Sequence, residues 1–256
     1  MNSQFLQTGF FAAQSAGKIL IDSMGRIRSL DLKQKNDYVS NVDIEAEHAI
    51  MEIILSSFPD HNIIAEESDS HHSKSPYTWI IDPISSTVNY IHSLPHFAVS
   101  IALEEDNIGL AAVVFDPFYN ELFWSEKDGG SYLNGSPIVV SAINDISKSL
   151  LCVGIHDRGD HPDIEGGLSY LRRILSIPVS TRRLGSTALE MCYVACGRMD
   201  ARVNNHSDPY SIPAGKLIVE GAGGVVTDFN NVEWNADAAN VVASNGKFHD
   251  DLIKLL

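Results

Sequence analysis

The densest chemistry in this 256-residue chain lies in Trp79–His92, WIIDPISSTVNYIH. An apolar run with aromatic and β-branched residues predicts a strand over Trp79–Asp82, which delivers the Asp82 carboxylate at its end. Pro83 predicts a sharp exit, and Ser85-Ser86-Thr87 the opening of a helix whose first N–H groups face outward. A carboxylate beside a helix N-terminus suits a hard cation next to a phosphate oxyanion. An ordinary strand–turn–helix junction with serine caps accounts for the same residues. Three other segments add to the picture. Glu66-Glu67 follow a short predicted strand, Asn62–Ala65, which puts a second carboxylate at a strand end. Asp43 falls in VSNVD just as a helix begins, where an N-cap role is the simplest reading. Tyr210–Gly224, YSIPAGKLIVEGAGG, predicts a helix start, an apolar helix and a glycine-rich turn.

These segments need elements to hold them. Phe5, Phe10, Ala13, Gly17 and Leu20 share one face of an N-terminal amphipathic helix, and Ile50, Ile53, Ile54 and Leu55 point a helix over Asn41–Ser57 toward a core. Ser68–Pro76 reads as an exposed polar loop, so His71 and His72 are solvated rather than ligating. Strands follow over His96–Leu103, Leu110–Phe115 and Glu121–Ser125. Beyond Ser141 the pattern becomes strand–helix, with strands at 150–155, 179–183, 200–204, 225–229 and 241–244 around helices at 164–176, 186–196 and 212–222. The fold class is α/β: an α+β half, 1–145, then an α/β half, 146–256, packed as one unit with a seam near 140–150. A shared cleft at that seam is the expected site.

Composition narrows the partners. Hydrophobic residues at 44% and charged residues at 20% are ordinary globular usage. Eighteen Lys and Arg against 33 Asp and Glu give a net charge of −15, which repels phosphate backbones and anionic lipid and argues against nucleic-acid or membrane partners. No apolar run reaches the length of a membrane span, and the N-terminus lacks the basic start of a signal peptide. Cys152, Cys192 and Cys196 are an odd count, and the i,i+4 pair reads as core thiols, so a reduced cytoplasmic protein is expected.

Taken in order, the four segments resemble the inositol monophosphatase family across nearly the whole chain. The resemblance rests on Glu66-Glu67-Ser68, on Asp82-Pro83-Ile84-Ser85-Ser86-Thr87 with Asn89-Tyr90, on Gly185-Ser186-Thr187-Ala188 and on Cys196-Gly197-Arg198-Met199-Asp200. It implies a layered αβαβα sugar-phosphatase fold, a homodimer and Mg²⁺-dependent hydrolysis of a phosphate monoester. It also implies that Glu66, Asp82 and the Ile84 carbonyl hold a first Mg²⁺, that Thr87 and Asp43 activate water, and that the Ser86 and Thr87 amides cradle phosphate. Three acids of the pattern are replaced. Ser85 and Ser211 stand where the family has Asp ligands of a second metal, beside Tyr210 for Trp and Pro213 for a small residue. Asn204 stands where many inositol-specific members have a ring-contacting Glu. Both serines fall at predicted helix starts, where Ser caps about as well as Asp, yet a hydroxyl is a poor Mg²⁺ ligand. One Mg²⁺ site is therefore expected, the second having lost its ligands. A sugar or inositol phosphate would bind through Ser85, Ser86, Thr87, Ser186, Thr187, Asn204 and Ser211, with hydrolysis weak or absent. The alternative is an inactive pseudo-phosphatase that holds a metabolite or a protein.

Overall fold

The structure is a computed structural model and describes residues 3–34, 37–157 and 162–256. Helix α1 (Gln4–Ser23) starts at Ser3, whose hydroxyl accepts from the Leu6 amide at 3.2 Å. It turns Ala12, Ala13, Ala16, Gly17 and Leu20 inward. Gly17 is needed for the approach, because a Cβ there would lie 2.6 Å from the Phe115 ring. A hairpin, β1 (Leu30–Gln34) and β2 (Asp37–Ser40), leads into α2 (Asn41–Ser57). Then come β3 (Asn62–Ala65), β4 (Tyr77–Ser85), α3 (Thr87–Ile91), β5 (Ala98–Glu105), β6 (Ile108–Asp116), β7 (Glu121–Glu126), β8 (Ser131–Leu133) and β9 (Ser136–Ile138). These last strands form a seven-stranded sheet in the order β3-β4-β5-β6-β7-β8-β9, antiparallel apart from β3 and β4.

The remaining elements are β10 (Leu150–Gly154), α4 (Ile164–Ile174), β11 (Ser180–Arg182), α5 (Thr187–Ala195), β12 (Ala201–Asn204), α6 (Ile212–Gly221), β13 (Val225–Thr227), β14 (Val241–Ser244) and α7 (His249–Ile253). Their sheet runs β11-β10-β12-β14-β13. Burial defines the layers. Ile50 and Ile54 of α2 pack with α1 on Ile81, Ile101 and Val113. Ala102, Val114 and Phe123 on the other face meet α5 and α6, which in turn cover Cys152, Val226 and Ala243 of the second sheet. Tyr170, Ile174 and Leu252 close its far side through α4 and α7. The result is the αβαβα stack that the family resemblance implies.

Local geometry corrects three expectations. Pro83 does not end the strand: β4 runs on to Ser85, with a register shift against β5 between Asp82 and Ser85. A bulge is where a strand tolerates a missing N–H. Asp43 is not the N-cap of α2. Ser40 is, and Asp43 closes a capping box by accepting the Ser40 amide at 2.8 Å. Neither Ser85 nor Ser211 caps the helix that follows it in sequence: Ser85 ends β4, and Ser211 makes no capping bond.

Asp116 ends β6, and its Oδ1 accepts the Phe118 and Tyr119 amides at 2.9 and 3.0 Å while its Oδ2 is buried without a partner. Burial lifts its carboxyl from 3.8 to about 6, against the two amide bonds. A carboxyl raised on folding favours the fold while protonated, so stability falls as pH rises from about 4 through 6. Asp116→Asn keeps the amide acceptor without the charge. Allowing for solvent screening, it should gain about 1–2 kcal/mol at pH 8 and nothing near pH 4. Urea unfolding at the two pH values checks this; a gain that does not change with pH contradicts it.

Candidate functional site

The end of β4, the start of α3 and the loops after β10, β11 and β12 enclose a cavity of about 270 Å³. Glu66, Asp82, Ile84, Ser85, Ser86, Thr87, Thr187 and Asn204 line it, so most of the residues singled out from the sequence converge. Thr87 Oγ1 donates to Asp43 Oδ1 at 3.0 Å. Asp43 is fully buried, and burial raises its carboxyl above the usual range despite the opposing bonds from Ser40 and Thr87. Ser86 takes φ 89°, a left-handed conformation, and carries a buried hydroxyl with no partner. Gly185 lies opposite at φ 101°; a Cβ there would come within 3.3 Å of Ser86 Oγ.

Ser85, Ser186 and Ser211 do something different from what their spacing suggests. They form a buried hydroxyl chain behind the cavity. The Ser211 hydroxyl donates to Asp82 Oδ2, and Ser211 and Ser85 share a hydrogen bond of 3.0 Å. Ser85 Oγ also accepts from Ser186 Oγ and the Ala188 amide, both at 3.2 Å. Only Ser85 of the three reaches the cavity wall. The amides of Tyr210 and Ser211, which open α6, are met instead by Asp208 Oδ1 at 3.0 and 3.1 Å.

Four charged residues in or beside this wall escaped the sequence reading. Lys33, on β1, places its ammonium 3.0 Å from Glu67 and 3.4 Å from Glu66. Asp208 lines the cavity and adds negative charge to Glu66 and Asp82. Arg202 and Glu190 form a buried ion pair at 2.8 Å, with Arg202 Nη2 also donating to Thr187 Oγ1 at 2.9 Å. A signal existed for the pair: each is a lone charge in an otherwise apolar run, LEMCYVA and ARVN. For Asp208, the turn-forming stretch before α6 was the only hint.

The two oxygens of Asp82 are differently placed. Asp82 Oδ1 is buried with no hydrogen-bond partner. Burial and then Asp208 lift Asp82 to about 8, while burial and then Asp82 and Asp208 lift Glu66 well above the carboxylate range. Crowded acids of this kind gain most from a divalent ion between them. Glu66 and Asp82 therefore fit one Mg²⁺, which keeps several waters and needs few protein carboxylates. Asp82 Oδ2 is engaged by the Ser211 hydroxyl, which shares a further hydrogen bond with the neutral Ser85. Among the described residues, no group of three or more His, Cys, Asp or Glu is arranged to hold a metal.

Comparison with known proteins agrees with this architecture. The model of the inositol monophosphatase family matches residues 1–256. A Thermotoga maritima protein named fructose-1,6-bisphosphatase/inositol-1-monophosphatase is 37% identical over 244 residues, 95% of this chain and 92% of its own. The Nus factor SuhB of Vibrio cholerae is 37% identical over 237 residues, covering 91% of this chain and 88% of that one. The solved extragenic suppressor protein suhB of Bartonella henselae superposes with a TM-score of 0.94 at 31% identity, over 99% of this chain and 98% of that chain. A match from the first residue to the last, on the same layered fold, leaves one assignment: the chain belongs to the inositol monophosphatase family.

Proposed function

We propose that this chain binds a sugar or inositol phosphate with one Mg²⁺ and hydrolyses it weakly or not at all. The observation that carries the reading is the hydroxyl chain from Asp82 Oδ2 through Ser211 to Ser85, which stands where the family resemblance calls for two further Asp ligands. Glu66 and Asp82, with the Ile84 carbonyl, would hold the ion. When bound, Mg²⁺ supplies positive charge against phosphate oxygens and acidifies water. The chain's own groups do the rest on the attacking side. Asp43 Oδ1 takes the Thr87 hydroxyl proton in a hydrogen bond, which leaves the Thr87 oxygen lone pairs free to orient a water proton. The left-handed turn at Ser86 presents α3's first amides to phosphate. On the leaving side, the neutral Ser85 hydroxyl, backed by Ser211, would meet the developing alkoxide. Loss of a preorganised stabiliser of such charge costs about 3–4 kcal/mol, two to three decades in rate.

The second reading is a pseudo-phosphatase that serves as a binding module. The same neutral chain favours it, as do relatives that carry the name Nus factor SuhB. The charge of −15 supports a protein or metabolite partner over nucleic acid in either case. A homodimer is part of the proposal, and exposed Phe118 and Tyr119 on the β6–β7 turn provide apolar surface for it. No helix among the described residues is long and apolar enough to cross a membrane, which fits the proposed cytoplasmic setting.

Calorimetric titration with Mg²⁺ should show one site per chain, abolished by Asp82→Asn, with phosphate release from inositol 1-phosphate barely above background. Two tight Mg²⁺ sites, or robust turnover of the native chain, would overturn the reading.

A further inference from the structure

The wall of the cavity built by α5, β12 and the loops after β10 and β11 has a different chemistry from the Glu66 and Asp82 side. Each acid there is already paired: Glu190 with Arg202 at 2.8 Å, and Asp157 with Arg183 at 2.7 Å. Glu190 is also saturated by the Leu184 and Gly185 amides at 3.2 and 2.8 Å. Donors remain. Arg202 is 2% exposed, lines the cavity, and its Nη1 has no hydrogen-bond partner. A buried guanidinium nitrogen left unmade is expensive, and the full fork of an arginine is built for planar oxyanions. Beside it on the same face of β12, Asn204 contributes a neutral amide. His156 and His206 stack at 4.1 Å on the wall next to Arg183. Asn204 Oδ1 is buried without a partner as well, so the wall offers a neutral acceptor beside the cationic Nη1 donor, and of the two the guanidinium arm is the one suited to an oxyanion.

We infer that Arg202 is a specificity-determining residue: with Asn204 and the Thr187 hydroxyl it receives a second anionic group, a carboxylate or a phosphate, at the far end of a phosphate ester. The inference rests on the proposed binding of a phosphate ester at Ser86 and Thr87, and extends it to the class of ligand. Glu190 and Thr187 hold the guanidinium so that Nη1 is the arm left for the ligand.

Matched pairs of probes test it by calorimetry with Mg²⁺ present. Fructose 1,6-bisphosphate against fructose 6-phosphate reads a second phosphate, and 6-phosphogluconate against glucose 6-phosphate reads a carboxylate. The expected result is at least a tenfold preference for the doubly anionic member of one pair. Asn204→Glu, which gives Arg202 an internal carboxylate partner, should reduce that preference to within threefold. Should that variant fold poorly, the shorter Asn204→Asp makes the same test. Equal affinities within both pairs, or a preference that survives the substitution, overturn the inference. If inorganic phosphate still binds in that case, the proposed function stands. If inorganic phosphate does not bind either, both fall together.

Discussion

The S85D/S211D protein is expected to hydrolyse inositol 1-phosphate two to three decades faster than the native chain and to bind a second Mg²⁺. Ser85 Oγ already accepts from the Ala188 amide and Ser186 Oγ, so a carboxylate at that position inherits both donors. At position 211 the new carboxylate replaces a hydroxyl that donates to Asp82 Oδ2, and the bond becomes a repulsion. Without a cation, the substitutions therefore place two buried charges beside Asp82. Uncompensated burial of that kind costs about 3–5 kcal/mol. The prediction is thus twofold. Phosphate release rises by a factor of about 10²–10³ through recovered stabilisation of the leaving oxygen. The Tm of the metal-free variant drops below native and then climbs steeply with Mg²⁺, because binding only the folded state stabilises it by mass action. Unchanged turnover with two filled Mg²⁺ sites would show that the serines are not what limits hydrolysis.

Glu190→Ala should cost about 3–5 kcal/mol and stands among the most damaging single changes available in this chain. Glu190 is 3% exposed, and its carboxylate ties together Arg202, Leu184 and Gly185. Burial alone would raise its carboxyl, but the Arg202 guanidinium, the Cys152 thiol and the Gly185 amide overrule burial and hold it below the usual value. A depressed carboxyl stabilises the fold above the unfolded pKa, and that contribution fades only as acid reaches the folded one. Removal strands Arg202 as an unpaired buried cation and frees the turn that sets Gly185 against Ser86. Urea unfolding at neutral pH measures the loss. Glu190→Gln, whose single side-chain oxygen can still accept both amides, should cost less than Glu190→Ala; equal losses would contradict a contribution from those amide bonds.

Particular elements show how far sequence reasoning reaches. The span Asn41–Ser57 matches α2 at both ends, because an amphipathic period coincides with the Ser40 cap. The hairpin β1–β2 left no trace in the pattern. All of β1 is exposed, and a strand with no buried face has no apolar alternation to read. With it went Lys33, whose role depends on the hairpin folding over Glu66 and Glu67. The metal-side residues were legible as strand ends and resemblance. Their partners were not, since Ser211 and Asp82 lie 129 positions apart and the bond between them is purely tertiary. Serine at a helix start predicts a cap from local chemistry; here the Asp82 carboxylate offers a stronger, tertiary acceptor, and Asp208 meets the Tyr210 and Ser211 amides just ahead of α6.

The helix α6 also sets an order on how the chain can mature. Its residues Ile212, Ala214, Ile218 and Val219 fill the core against Ala102, Val114 and Phe123 of the first sheet, and the Ile218 carbonyl accepts the Ser131 hydroxyl at 2.7 Å. During synthesis the first sheet is complete in sequence once β9 emerges, yet one of its faces has nothing to pack on. That surface stays incompletely covered until α5 and then α6, the latter some eighty residues further on, have left the ribosome. The nascent chain must pass through that interval with an open apolar sheet face, and a pause in translation between β9 and α6 is where it would be most prone to capture by a chaperone or by another copy of itself.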